Sequence, residues 1–198
     1  SSSQMKTILL NLALPYITSY KSAVDGGAYK GEWIRVLCEK FEKVYAFEPQ
    51  VVYASILAKK SPMIVVINAA LMNRTGTGKF VVPPRTKKVP YTDRSATVVY
   101  DNAGNVSVIR LDDLSIEACG LIKLNIEGCE PLALEGARNL LARDGPVIIM
   151  EESNPKKLPD QYKRSPKRAR NLLSALGYQQ VARDGHDTVW ARGSNGLR

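Results

Sequence analysis

The chain has 198 residues, of which 44% are hydrophobic and 24% are charged, values typical of one globular domain rather than of a disordered or fibrous protein. Its formal net charge is +9 at pH 7. The three cysteines, Cys38, Cys119 and Cys129, are odd in number and lack the paired spacing of a zinc site, which argues against a disulfide framework and a metal cluster. We therefore expect free thiols, a reducing compartment and a cytoplasmic protein.

The first segment, from Met5 to Ala23, imitates a secretory signal peptide with a lysine, an apolar run and small residues. Cleavage after Ala23 would cut the strand that leads to Asp25, and the apolar run is too short to span a bilayer. We expect an amphipathic N-terminal helix instead, and no membrane span. The predicted division of the chain is a cloning remnant at residues 1–4, a single domain at residues 5–192 and a flexible tail at residues 193–198.

Short apolar, β-branched runs then alternate with helical patterns. The predicted elements are a strand at Ala23 and Val24, a helix over 31–41, a strand over 43–47, a helix over 50–60 and a strand over 63–68. This alternation indicates a parallel, doubly wound sheet, whose strands are covered on both faces and are therefore continuously apolar.

After residue 68 two alternating runs flank residues 102–105, which predicts an extra hairpin after the third strand. Strand and helix patterns resume at residues 120–125, 130–145, 146–151 and 165–177, and a last pair of strands flanks Asp184 and Gly185. The whole pattern predicts an α/β, doubly wound (Rossmann-like) class I methyltransferase fold, with a mostly parallel seven-stranded sheet and an antiparallel C-terminal strand pair. A flavodoxin-like or nicotinamide-binding sheet would explain the first half equally well.

A glycine-rich turn follows the first strand, where a doubly wound sheet binds ligands. It starts at Asp25, and Gly26, Gly27 and Gly31 permit a tight bend and close approach of a ligand. The dinucleotide pattern G-x-G-x-x-G fits only with Ala28 in place of the middle glycine, so a pyrophosphate would be crowded. Asp25 would accept hydrogen bonds from a cationic amino group or water and would repel phosphate, which favours S-adenosylmethionine over a nicotinamide dinucleotide.

The ends of the second and third strands extend this predicted cofactor site. Glu48, followed by Pro49, comes 23 residues after Asp25, about the separation at which this fold places an acid on ribose hydroxyls; an exposed carboxylate at a strand end is the alternative. Asn68 and Ala69 lie where an adenine edge would sit. A turn residue that caps its own backbone is an equal alternative for Asn68.

The segments VDGGAYKGEW, VYAFEP, INAAL and LIKLNIEGCEPLALEGA occur in this order, and the chain resembles the FkbM family of S-adenosylmethionine-dependent methyltransferases from about Ala23 to Trp190. The last segment is the most specific, because the family has a strand, a lysine, D-x-E-G-x-E and a helix with L-x-G-A. The resemblance implies methyl transfer that leaves S-adenosylhomocysteine. It also exposes a departure: Asn125 replaces the family's acid, so it would contact the cofactor without serving as base or metal ligand.

Methyl transfer to oxygen needs an in-line approach to the methyl group and an acceptor for the hydroxyl proton. Glu127 is the leading base or substrate-orienting residue, because Gly128 allows a bend that holds its carboxylate in the cleft; stabilisation of the following helix by its charge is the alternative. Asn125 and Glu151 are further candidates, and Lys123 would pair with an acid in the cleft or form a core-flanking salt bridge. The side-chain oxygens of Asn125, Glu127 and Glu151 would together suit magnesium. We consider a bound magnesium ion possible but do not expect one.

The positive charge lies mainly in two segments. Arg74 to Arg94 has six Lys or Arg and one acid, and Pro155 to Arg170 has seven and one. Both follow strands on the ligand side of the predicted sheet, which favours an anionic acceptor; solvated loops are the alternative.

Three functions remain open. The resemblance favours an O-methyltransferase that acts on a sugar, a glycan or another small anionic acceptor. The basic loops, with Tyr91, Tyr100 and Tyr162 as stacking platforms, would suit a nucleic-acid methyltransferase. Asn125 is the argument for a cofactor-binding relative without turnover. The sequence leaves the oligomeric state open.

Overall fold

The computed structural model describes residues 3–81 and 96–193. Its helices and strands are, in chain order, α1 (Ser3–Ala13), β1 (Ser22–Gly26), α2 (Ile34–Cys38), β2 (Lys43–Phe47), α3 (Val51–Leu57), β3 (Ile64–Ile67), β4 (Ala70–Leu71), β5 (Gly76–Val81), β6 (Thr97–Tyr100), β7 (Val106–Ile109), β8 (Cys119–Leu124), α4 (Glu130–Glu135), α5 (Arg138–Asp144), β9 (Val147–Glu151), α6 (Ser165–Ala175), β10 (Tyr178–Asp184) and β11 (Asp187–Arg192). Most of the basic segment 74–94, with Tyr91, lies outside the described residues, as do residues 1–2 and 194–198.

The central sheet has seven strands in the order β10-β11-β9-β8-β1-β2-β3. β1 pairs in parallel with both β2 and β8, whereas β11 is antiparallel to β9 and to β10. This arrangement confirms the predicted class I methyltransferase fold with its antiparallel C-terminal pair. The chain order reverses between β1 and β8, so the carboxyl ends of these strands flank the position where doubly wound sheets bind ligands.

Helices cover both faces of the sheet, which explains the continuously apolar strands. Neighbouring residues of one strand point to opposite faces. Val24 packs in a core that contains Leu134 and Leu173, and Ala23 packs in a second core that contains Leu9 and Leu37. The predicted N-terminal helix is therefore confirmed as α1, and no helix of the described ranges is long and apolar enough to cross a membrane.

A second sheet, with the order β4-β7-β5-β6, corrects the predicted hairpin. β6 and β7 form where the alternating runs predicted strands, but β5 lies between them and is antiparallel to each. The turn between β6 and β7 therefore crosses β5. Gly104 allows this crossing, because a Cβ atom at this position would lie 1.9 Å from the carbonyl oxygen of Gly78.

The helix predicted over residues 130–145 is interrupted, and α4 and α5 are separate helices. Asp112 explains the break. Its carboxylate accepts the backbone N–H groups of Asn139 (2.9 Å) and Leu140 (3.0 Å), and its own N–H donates to the carbonyl of Gly136 (2.9 Å). Asp112 therefore caps the start of a new helix.

The three cysteines are free thiols, as predicted, and two of them, Cys119 and Cys129, are buried. Burial raises the pKa of both buried thiols to about 12. These two are therefore structural residues rather than nucleophiles.

Candidate active site

A cleft of about 180 Å³ lies against the carboxyl ends of the central strands. The predicted site residues that line it are Gly27, Ala28, Glu48, Pro49, Ala69, Lys123, Asn125, Glu127 and Glu151. Three charged lining residues were not predicted, namely Lys6, Glu32 and Asp187. Of the remaining predicted residues, Asp25 and Gly26 are buried in β1, Gly31 ends the glycine turn, and Asn68 is exposed beside the cleft.

The glycine turn presses β1 against the end of β8. Gly27 has a φ of +78°, and a Cβ atom there would lie only 2.1 Å from the carbonyl oxygen of Asn125. The N–H groups of Gly27 and Ala28 both donate to the carbonyl of Phe47 at 3.0 Å. A side chain at position 27 would therefore separate the two strand ends that form the cleft.

Lys123 and Asp25 form a buried ion pair beneath this turn. The Nζ atom of Lys123 donates to Asp25 Oδ1 (2.9 Å) and to the carbonyls of Gly26 (3.3 Å) and Gly27 (3.2 Å). An ammonium has three donors, so Lys123 meets three acceptors of the chain itself and fixes the turn. Asp25 therefore offers no uncompensated charge to a ligand, which corrects the electrostatic argument that the sequence suggested.

Glu48 is held by two backbone groups and still lines the cleft. Its Oε1 accepts the N–H of Tyr29 (2.8 Å), and its Oε2 accepts the N–H of Gln50 (2.7 Å). A carboxylate has about four acceptor positions, so about two remain for a ligand. Burial raises the pKa of Glu48, although the two N–H groups oppose this shift. The Asn68 amide donates to the carbonyls of Glu48 (2.9 Å) and Pro49 (3.0 Å), so Asn68 fixes this strand end rather than its own backbone.

Three polar residues meet at the ends of β8, β9 and β11. The Nδ2 atom of Asn125 donates to Glu151 Oε2 at 2.8 Å, and Glu151 is the register partner of Asp187. Burial and the nearby charge of Glu151 raise the pKa of Asp187 to about 6. The tight turn at 185–186 sets the pairing of Asp187 with Asp184 of β10, but the position of Asp187 beside Glu151 depends on the pairing of β11 with β9, which the sequence pattern does not reveal.

The loop after β8 is held in an uncommon conformation. Glu127 has a φ of +50° and Gly128 a φ of +99°. Thr97 Oγ1 donates to the carbonyl of Glu127 (2.7 Å), and the N–H of Gly128 donates to both carboxyl oxygens of the buried Glu130 (3.1 and 3.2 Å). Burial raises the pKa of Glu130 to about 8. Such a conformation in a non-glycine residue persists only where its surroundings enforce it, and it occurs often at functional sites.

The described part of the cleft lining is acidic, with five carboxylates and two lysines. This balance favours a cationic ligand and disfavours a phosphate inside the cleft. No group of three or more His, Cys, Asp or Glu residues in the described ranges is arranged to hold a metal ion.

The basic segment 155–170 is partly neutralised by acids. Three of its cations form ion pairs, Lys163 with Asp160 (3.2 Å), Arg168 with Glu135 (3.2 Å) and Arg170 with Glu152 (3.0 Å).

Two of the tyrosines predicted as stacking platforms are described. Tyr162 is only 5% exposed, and its hydroxyl donates to the carbonyl of Val98 (2.9 Å). The predicted stacking of bases on Tyr162 is therefore wrong. The ring of Tyr100 is contacted by the guanidinium of Arg74, 4.3 Å from its centroid.

The comparison with protein families identifies one domain, the methyltransferase FkbM domain, whose family model matches residues 25–179 and so covers more than half of the chain. No curated protein matches the chain.

Among solved structures, the chain is similar to methyltransferase FkbM from Methylobacillus flagellatus KT, with 22% identity, a TM-score of 0.53 and coverage of 86% of this chain and 42% of that one. It therefore spans less than half of that protein's length. An rRNA methylase from Streptococcus thermophilus has 12% identity and a TM-score of 0.52, with coverage of 94% and 95%. Precorrin 8w decarboxylase from Methanobacterium thermoautotrophicum has 12% identity and a TM-score of 0.54, with coverage of 98% and 91%. At these identities the likeness shows the fold alone.

Proposed function

The chain belongs to the FkbM methyltransferase family, and we propose that it transfers a methyl group from S-adenosylmethionine to a hydroxyl of a sugar or another small acceptor. One observation carries this proposal. The same cleft has Glu48, with acceptor positions to spare, and also the group formed by Asn125, Glu151 and Asp187. The first suits a nucleoside sugar, and the second suits a hydroxyl that must lose a proton.

The residues at the glycine turn fit the proposed cofactor. The carboxylate of Glu48 has about two unused acceptor positions, which match the two hydroxyls of a ribose. Gly27 leaves no side chain between the ends of β1 and β8. S-adenosylmethionine, when bound, supplies a methyl group on a cationic sulfur, and the acidic lining of the cleft favours such a cation over a dinucleotide.

The proton of the acceptor hydroxyl would pass to a carboxylate oxygen of Asp187 or Glu151. Asp187, with a pKa raised to about 6, is ionised at neutral pH and is still a better base than an ordinary aspartate. Asn125 orients Glu151 through its amide. The acid missing from position 125 would be replaced by Glu151 on β9 and Asp187 on β11, the next two strands of the sheet. Glu127 lines the same cleft and would orient the acceptor, while Lys123 holds the turn.

The charge of the cleft also limits the acceptor. Its carboxylates favour a neutral hydroxyl at the reacting end and disfavour a phosphate there. An anionic group elsewhere on the acceptor would be held outside the cleft by exposed cations such as Lys156 and Lys157, which follow β9. A sugar that is attached to a phosphate carrier has this distribution of charge.

The test is a transfer assay with S-adenosylmethionine labelled in its methyl group, across sugars, nucleotide sugars and RNA. We expect label on a sugar hydroxyl and a rate that rises with pH through about 6, because the ionised carboxylate of Asp187 is the base. Asp187→Asn should lower kcat by about 10²- to 10⁴-fold. Asp184→Asn, the same chemical change in the same strand pair, should leave kcat above pH 7 nearly unchanged and shift the rise of the rate to a lower pH, because the charge of Asp184 contributes to the raised pKa of Asp187.

Four other results would contradict the proposal or a part of it. Label on RNA alone would show that the acceptor is RNA rather than a sugar. Cofactor binding without transfer to any acceptor would indicate a cofactor-binding relative without turnover. Full activity in both Asp187→Asn and Glu151→Gln would remove the proposed base. Equal labelling by Glu127→Gln and the wild type would remove Glu127 from the site.

A further inference from the structure

A buried lysine enters the cleft from outside the matched family domain. Lys6 lies on α1, whereas the family match begins at residue 25. The side chain of Lys6 is only 2% exposed, and its Nζ atom lies 3.3 Å from Oε2 of Glu32, whose side chain is 42% exposed. Burial of an ammonium is unfavourable unless the charge is compensated, so Lys6 depends on acidic partners such as Glu32, and both members of this pair line the cleft.

The packing of α1 places Lys6 at this position. Leu9, Leu10 and Ala13 of α1 belong to the core that includes Ile149 of β9 and Val189 of β11. This contact holds α1 across the two strands whose ends also provide Glu151 and Asp187. Lys6 then reaches the lining of the cleft, where it meets Glu32, the residue directly after the glycine turn.

The pair has the charges that an amino acid requires. The methionine part of S-adenosylmethionine ends in one ammonium and one carboxylate, and the Lys6–Glu32 pair offers one cation and one carboxylate. An ammonium has three donors, so a lysine can bind more than one carboxylate. The other lysine of the described lining, Lys123, directs its ammonium to Asp25 and two carbonyls of the turn.

We propose that Lys6 and Glu32 bind the amino-acid end of S-adenosylmethionine. Lys6 would contact the carboxylate of the cofactor, and Glu32 would contact the ammonium of the cofactor. This inference rests on the cofactor of the proposed function. It assigns to α1 a part in cofactor recognition, in addition to its packing on the sheet. It also follows that the methionine lies on the α1 side of the glycine turn, while the ribose lies at Glu48.

The test compares two ligands by calorimetry. S-adenosylhomocysteine contains the amino-acid end, whereas 5′-methylthioadenosine contains the same nucleoside and sulfur without it. Lys6→Met should weaken the binding of S-adenosylhomocysteine by about 10- to 100-fold, the usual effect of losing a charged hydrogen bond. The same variant should change the binding of 5′-methylthioadenosine by less than about threefold, because that ligand never contacts Lys6.

Two further variants keep the test decisive. Glu32→Gln changes a half-exposed side chain, so it should fold even if Lys6→Met does not, and it should also weaken only S-adenosylhomocysteine. Lys21→Met, the matched change at an exposed lysine outside the cleft, should bind both ligands as the wild type does.

The outcomes separate this inference from the proposed function. If the wild type binds neither ligand, the proposed cofactor is wrong. If the wild type binds both, but Lys6→Met and Glu32→Gln bind S-adenosylhomocysteine with unchanged affinity, only the role of the pair is overturned. A parallel loss of both ligands in Glu32→Gln would also overturn it, because the pair would then only support the fold.

Discussion

At the glycine turn most polar side-chain atoms are held by the chain itself, although Asp25 Oδ2 is buried without a hydrogen-bond partner among the described residues; at the ends of β8, β9 and β11 the partly satisfied polar side chains line the cleft. Lys123 has three acceptors from the chain, and Glu48 accepts two backbone N–H groups. Asn125 Oδ1 is likewise buried without a hydrogen-bond partner among the described residues, but Asn125 lines the cleft, as does Asp187 with its raised pKa, whereas Asp25 does not. This difference indicates that the glycine turn is a preformed binding site for the nucleoside. The group at the ends of β8, β9 and β11 would be completed by hydrogen bonds to the acceptor.

The largest expected effect comes from filling the close contact at the turn. Gly27→Ala places a Cβ atom 2.1 Å from the carbonyl oxygen of Asn125 at a φ of +78°. We expect its free energy of unfolding to fall by more than about 5 kcal/mol, and cofactor binding to be lost. Gly185→Ala, at a φ of +60° with no atom within 4 Å of the added Cβ, should cost only about 1–2 kcal/mol. Urea denaturation of both variants checks this, and equal losses would disprove the close contact.

The next effect concerns the ion pair beneath the turn. Lys123→Met leaves the carboxylate of Asp25 buried without its partner, so the free energy of unfolding should fall by about 3–5 kcal/mol. Lys21→Met, which breaks an exposed pair with Glu42, should change it by less than about 1 kcal/mol. The double variant Asp25→Leu with Lys123→Met should lose less than Lys123→Met alone, because no buried charge remains. A double variant that is less stable than the single one would contradict this account.

A further expected effect is a dependence of stability on pH at the loop after β8. Because burial raises the pKa of Glu130 from 4.5 to about 8, the folded protein keeps a proton that the unfolded chain releases across this range. The free energy of unfolding should therefore fall as the pH rises from about 4.5 to about 8. Glu130→Gln, which is neutral throughout, should reduce this slope, while the exposed Glu117→Gln should not. Denaturation series at several pH values check this; a slope unchanged in Glu130→Gln would show that Glu130 does not carry it.

The features that the sequence predicted correctly depend on residues that are close together in the chain. The apolar run of β2 predicted residues 43–47 correctly, and Glu48 was found because it ends that strand. The predicted hairpin of β6 and β7 was wrong, because β5, the strand before β6 in the chain, lies between them, and the alternating runs do not show which strands pair. Lys6 and Asp187 were missed for the same reason: only the packing of α1 and the register of β11 bring them to the cleft.

The most direct test of the central claim is a crystal structure of the protein grown with S-adenosylhomocysteine. The account predicts the nucleoside in the cleft, with both ribose hydroxyls within hydrogen-bond distance of the Glu48 carboxylate and the sulfur facing Asn125. A cleft without the nucleoside at saturating concentration, or a ribose placed away from Glu48, would contradict it.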